Sequence, residues 1–245
     1  MPADHPNQTQ EAPKRKTVLI WECNETFGTE FLELFVHDAN IYVDSTVIRI
    51  DGNRPYKVNY SLVLGQDWTV KQLDLEIQNL KKSLHLLSDG KGRWFNEKGE
   101  EIYPLRGAAD LDLSCTPFTN SLPINRLPWQ RNDARDLEMV FLSVPDLAWK
   151  KVKQRYQLLE EAAGRRKFHY KSGNFETNIE VDADGFVLRY PGIFTRVFSS
   201  GVITAESFFH GRKPSIRSRS PRSAPRNRAR RSGTRRISRF PILIV

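Results

Sequence analysis

A mainly β, antiparallel architecture (a meander, barrel or roll) built around one short helix is what this sequence predicts. Three observations carry that reading. About fifteen segments before residue 200 alternate polar and apolar residues or concentrate β-branched and aromatic ones. Most of them end in turn residues. Only one stretch shows a convincing helix start.

The elements follow in order. Residues 1–16 carry no apolar periodicity and read as a disordered arm. From Thr17 the segments "TVLIWE", "FLELFVH" and "IYVDSTVIRI" are rich in strand formers, and "YKVNYSLVL" places Tyr56, Val58, Tyr60, Leu62 and Leu64 on one face. "QLDLEIQ" sets Leu73, Leu75 and Ile77 against Asp74 and Glu76, with a break of parity between Val70 and Leu73 that predicts a bulge or turn. Asp51-Gly52, Asp89-Gly90 and Asp184-Gly185 are type I′ turn dipeptides, and Ser172-Gly173-Asn174 and Lys98-Gly99 are further turn candidates. Past Trp129, "DLEMVFLSV", "KKVKQRYQLL", "RKFHYKS", "FETNIEV", "FVLRY" and "IFTRVF" continue the strands. A helix over 130–141 competes with the first of these, but the run "MVFLSV" favours a strand.

The helix falls in "LDLSCTPFTNSLPINRL", residues 111–127. No charge occurs from Leu113 to Asn125, in a chain that is 27% charged. Thr116 suits the N-cap, Pro117 the first helical position, and Pro123 should shorten or kink the helix. A helix enclosed by a sheet is apolar on most faces, so Thr119, Asn120 and Asn125 need backbone or ligand partners.

Charge divides the chain. The net charge is +9 over 245 residues, yet twelve basic residues and no acidic ones lie beyond Gly211, leaving 26 basic against 29 acidic residues before it. The Arg/Ser/Pro-rich segment 199–245 cannot build a core and reads as a disordered tail. So abrupt a break has two readings: a basic tail that binds RNA, DNA or anionic membrane, or translation in a wrong frame or past a stop. "MPADHPNQTQEAPKRK" is not a signal peptide, no run approaches the ~18 apolar residues of a membrane span, and Cys23 and Cys115 read as free thiols of a cytoplasmic protein.

Chemistry-bearing patterns are few. Asp110, Asp112 and Ser114 share a strand face, which suits an acid–base pair or a cation but more often a solvated face. The five histidines stand in no ligand spacing, "DADG" at 182–185 lacks the rest of a calcium loop, and there is no nucleophile elbow or phosphate loop. No cofactor, metal or catalytic residue is expected. Five tryptophans, fourteen phenylalanines and seven tyrosines can form a core or line an apolar cavity.

"ADLDLSCTPFTNSLPINRL", with "KVKQRYQLL" and "VDADGFVLRYPGIFTRV", resembles the bacterial glycolipid-binding protein family over about residues 17–198. Its most specific signatures are T-P-F-T-N-x-L-P-I-x-R-L at 116–127 and Y-P-G-x-F at 190–194. Cys115 departs from the small residue expected there, and the tail has no counterpart. The resemblance implies a spiral β-roll wound around the single helix, frequently dimeric and non-catalytic, that binds a lipid or glycolipid. On that reading Trp21, Phe118, Leu122, Tyr190 and Phe194 contact acyl chains. Asn120, Asn125 and Arg126 meet sugar or phosphate oxygens, Arg155 adds a charge-assisted hydrogen bond, and Asp112 is a further ligand-binding residue. The rival readings are a dimerising interaction module and nucleic-acid binding through the tail.

Overall fold

The computed structural model describes residues 15–200. The basic tail and most of the N-terminal arm lie outside the described residues. The first meander comprises β1 (Arg15–Cys23), β2 (Gly28–His37), β3 (Asn40–Asp51), β4 (Arg54–Gly65), β5 (Val70–Ile77), β6 (Lys82–Ser88) and the short β7 (Trp94–Phe95). After β8 (Asp110–Leu113) and the helical segment, a second meander runs through β9 (Ala134–Ser143), β10 (Ala148–Ala162), β11 (Arg165–Ser172), β12 (Phe175–Asp182), β13 (Val187–Tyr190) and β14 (Phe194–Ser199). Antiparallel pairing of β14 with β1 joins the two into one open sheet of fourteen strands. The β8–β9 pair alone is parallel among the described strands. The fold is thus the mainly β spiral roll expected, one strand short of the anticipated count and starting at Arg15 rather than Thr17.

Alternation explains most of these strands. In β4 the buried side chains are Tyr56, Val58, Tyr60, Leu62 and Leu64, the face read from the sequence. The parity break in β5 is a bulge: Val63 pairs with Gln72 and Leu64 with Val70, leaving Lys71 extra. Residues 134–143 are strand, not helix. Turn chemistry differs at all three Asp-Gly dipeptides: Gly52, Gly90 and Gly185 have positive φ but Asp51, Asp89 and Asp184 do not, so none is the centre of a I′ turn. Asp51 pairs with Arg54, so Gly52 and Asn53 form the turn centre, and only Gly52 has positive φ (59°), the pattern of a II′ rather than a I′ turn.

The helical segment opens as a 3-10 turn (Phe118–Asn120) and continues as α1 (Ser121–Arg126). Thr116 Oγ1 accepts the Phe118 N–H at 2.9 Å, so the expected cap forms. Pro123 lies in the first turn of α1, and the helix ends three residues later. Phe118 and Leu122 pack into a cluster with Trp21, Leu62 and Trp94, whereas Ile124 joins Tyr156, Phe168 and Ile179. The helix therefore connects the cores beneath the two meanders. No helix among the described residues is long and apolar enough to cross a membrane.

The solvated face expected for Asp110 and Asp112 does not form. β8 is the end strand of the sheet, beside β9, whose Met139, Val140, Phe141 and Leu142 are buried on both faces. Burial on both sides removes the alternation that the expectation assumed. Asp110 is fully buried and takes a bidentate pair from Arg126, at 2.9 Å from Nε and 2.6 Å from Nη2.

Candidate functional site

The residues expected to contact a ligand are mostly interior, and each polar one has a protein partner. Trp21 is fully buried and donates its indole N–H to the Val187 carbonyl at 2.8 Å. Phe118 and Leu122 are fully buried, and Tyr190 and Phe194 are buried in an aromatic cluster with Tyr170 and Phe175. Asn120 donates to the Pro117 carbonyl and accepts from the Tyr156 hydroxyl at 2.9 Å. Asp112 accepts from Thr119 Oγ1 at 3.2 Å and Gln154 Nε2 at 2.7 Å. Burial nevertheless raises its carboxyl above the ordinary range. Asn125 binds the Asp184 carbonyl near the chain's surface, and Arg126 is held by Asp110. Arg155 stands exposed on the opposite face of β10 from Gln154 and Tyr156, paired with Asp136. Asp112 and Asn120 thus meet through Thr119, Gln154 and Tyr156, while Asn125 and Arg155 belong elsewhere.

A second polar cluster lies under the first meander. Glu30 is 1% exposed, and its carboxylate accepts hydrogen bonds from Tyr60 (2.6 Å), Ser45 (2.8 Å) and Thr116 (2.6 Å). Burial pushes its pKa up to about 7 against the pull of those three hydroxyls. Beside it a cavity of about 10 Å³, lined by Trp21, Arg49, Cys115 and Phe194 among others, has room for one water at most. Burial also raises the Cys115 thiol, so this cysteine packs as a small apolar group.

The outer face of the sheet carries a different pattern, which only strand pairing discloses. Phe198 pairs with Ile20, Ile20 with Phe31, and Phe31 with Thr46, across β14, β1, β2 and β3. Ile48 follows two residues after Thr46 on the same face. Phe31, Ile48 and Phe198 are 46%, 45% and 48% exposed, so this apolar half of the face is open to solvent.

The same row continues with polar residues. Thr46 pairs with Asn59, Asn59 with Glu76, and Glu76 with Ser83. The adjacent row runs from Asp44 through Ser61 and Asp74 to His85. From Asn59 and Asp44 onward these polar positions line an open depression of about 710 Å³. Within it His85 Nδ1 lies 2.6 Å from Asp74 Oδ1, and Gln72 donates to Asp74 Oδ2 at 2.6 Å. Partial burial works against the Asp74 charge, but the bonds from His85 and Gln72 hold its pKa below the ordinary value. None of these outer-face residues was singled out from the sequence as a ligand contact. Phe31 lies in β2 with Glu33 and Phe35 on its face, a pattern that announces only a strand. No cluster of His, Cys, Asp and Glu that could hold a metal occurs among the described residues.

Residues 18–196 match the family described as "putative glycolipid-binding". The crystal structure of a DUF1089 family protein from Pseudomonas aeruginosa is similar, with a TM-score of 0.59 and 27% sequence identity. The likeness covers 69% of this chain and 92% of that one. No curated protein matches the chain. Since the matched residues run from β1 into β14 and include both signature stretches, the chain belongs to the glycolipid-binding family.

Proposed function

We propose that the protein binds a lipid or glycolipid on the outer face of its sheet. The acyl part lies over Ile20, Phe31, Ile48 and Phe198, and the headgroup lies over the polar half. The observation behind this reading is the contiguous row in which Phe198, Ile20 and Phe31 give way to Thr46, Asn59 and Glu76. Isolated exposed apolar residues are normal, but a cross-strand group beside a hydrogen-bonding depression matches a ligand with two chemically distinct ends. The family's description supports the same class of ligand.

The interior suits this role less well. A chain contacting Trp21, Phe118 or Asn120 would have to displace packed rings and leave buried donors and acceptors unpaired, at about 1–3 kcal/mol for each polar group. The outer face asks for no such rearrangement.

Native mass spectrometry of protein taken directly from cells is expected to show a co-purifying lipid, absent from a Phe31→Asp, Ile48→Asp double variant. Burying two such side chains is worth about 1.5–3 kcal/mol each, so vesicle binding should weaken at least tenfold in that variant. Binding that survives the double substitution unchanged removes the outer face from consideration. A concentration-dependent dimer, lost in the same variant, would assign the face to a second copy of the chain.

A further inference from the structure

Resting on the outer-face reading, we infer that the depression on β3 to β6 takes an uncharged sugar, held through its hydroxyls, and rejects headgroups that carry phosphate or sulfate. The depression offers hydrogen-bonding groups in two adjacent rows: Asp44, Ser61, Asp74 and His85 in one, Asn59, Glu76 and Ser83 in the other. Neighbouring strands stand ~4.8 Å apart, so this surface presents acceptors and donors at a spacing that a ring bearing several hydroxyls can bridge.

Capacity for a ligand remains in these groups. Among the described residues, the side chains of Asp44, Ser61, Glu76 and Ser83 make no hydrogen bond or ion pair with protein. The bond between Asp74 and His85 Nδ1 orients the imidazole and leaves its Nε2 for another partner. Hydroxyl groups donating to carboxylates form charge-assisted hydrogen bonds, about twice as strong as neutral ones.

Charge decides against an anion. Asp44, Asp74, Glu76 and Glu97 line the depression against Lys81 and Lys82, with no arginine. Lys82 already donates to the Pro145 carbonyl at 3.3 Å, which draws its ammonium toward the loop after β9. Asp74 is held in its charged form. A phosphate or sulfate brought here meets like charges, whereas sites for such groups are built from Arg, Lys and clustered backbone N–H donors. A sugar hydroxyl meets no such repulsion. The polar rows also begin beside the apolar half, at the Thr46–Asn59 hydrogen bond of 3.1 Å, so a sugar seated here leaves its lipid anchor over Phe31 and Ile48.

The test uses the full chain and phosphatidylcholine vesicles doped with monoglucosyldiacylglycerol, phosphatidylglycerol or diacylglycerol. It is run from about 0.1 M to about 1 M salt. The upper end, with a Debye length of about 3 Å, suppresses attraction between the basic tail and anionic lipid, and the lower end preserves repulsion within the depression. The glucosyl vesicles are expected to bind at least about tenfold more tightly than the other two, the worth of one charge-assisted hydrogen bond. Asp44→Ala and Asp74→Asn should each reduce that binding toward the diacylglycerol level; Asp44 is exposed, so its variant keeps the fold. Equal binding to all three vesicles, a preference for phosphatidylglycerol, or indifference to both substitutions would overturn the sugar assignment while leaving the apolar half in place. Absence of binding to every vesicle would overturn the glycolipid reading itself.

Discussion

The Tyr60 hydroxyl donates to Glu30 at 2.6 Å inside a closed core, and Ser45 and Thr116 donate to the same carboxylate. These bonds tie β2, β3 and β4 to the entry of the helical segment. The cluster unites strands of the first meander with a helical segment whose capping residue, Thr116, lies 86 residues after Glu30 in sequence. Its carboxylate is also the buried group with the clearest consequence for stability.

Glu30 has a pKa of about 7 in the fold, against 4.5 for an ordinary glutamate carboxyl. The folded state therefore holds the proton more tightly than the unfolded state. The stability this contributes is fully present below pH 4.5 and is lost as pH rises through about 7. Asp112, also raised by burial, acts in the same direction; Asp67, Asp74, Asp89, Glu101 and Asp136 are lowered and act in the opposite sense, at lower pH. Chemical denaturation across this window should show stability falling by on the order of 3 kcal/mol, and Glu30→Gln should remove most of the slope. Arg49 and Cys115 face the same cavity and remain in place in that variant. A wild-type protein with pH-independent stability between those values would rule out the raised pKa.

Arg126 and Asp110 form the bidentate pair at the base of α1, with the carboxylate side chain 1% exposed. Arg126→Leu leaves that carboxylate uncompensated and should cost about 3–5 kcal/mol. Adding Asp110→Leu should recover a large part of the loss, because two apolar side chains leave no buried charge. Equal destabilisation in the single and double variants, measured by urea unfolding, would show that the charge pair is not what stabilises this region.

Much of the sheet was legible because inward and outward residues alternate, and even the bulge at Lys71 left its mark as a break of parity. The helix start was legible from Thr116 and Pro117. β8 was legible as a strand but its burial was not, because D-L-D-L alternates as a half-exposed strand does, so Asp110 and Asp112 looked like surface residues. Glu30 left a readable signal that went unused: it occupies the inward register of β2, two residues before Leu32 and four before Leu34. The outer-face row could not be read at all. Phe198 and Ile20 meet only because the last strand pairs with the first, and that pairing is a property of the strand order of the whole sheet rather than of either segment.

Tyr156 donates its hydroxyl to Asn120 Oδ1 at 2.9 Å, and both residues are buried. Asn120 in turn donates to the Pro117 carbonyl at 3.1 Å, so the pair fixes the first turn of the helical segment against β10. Tyr156→Phe keeps the ring packed on Tyr170 but strands the Asn120 acceptor, and should cost about 1–3 kcal/mol. Thermal unfolding measures this directly. A variant as stable as the parent would mean that Asn120 finds another donor, and that the Tyr156 bond is dispensable for seating the helix.

The hairpin between β10 and β11 turns through Ala163 and Gly164, with φ of 50° and 73°. Two consecutive positive φ values are the pattern of a I′ turn, which favours asparagine followed by glycine. Alanine in the left-handed region carries a steric penalty of about 1–2 kcal/mol between its Cβ and the carbonyl oxygen, whereas asparagine tolerates that region through local hydrogen bonding. Ala163 is exposed, so a larger polar side chain there meets no packed neighbour. Ala163→Asn should therefore stabilise the protein by about 0.5–1 kcal/mol. Ala163→Val, β-branched and still less suited to positive φ, should destabilise it. The urea midpoint should move in opposite directions for the two variants with an unchanged slope. Matching shifts of the same sign would show that the side chain's contacts, rather than its backbone preference, govern this turn.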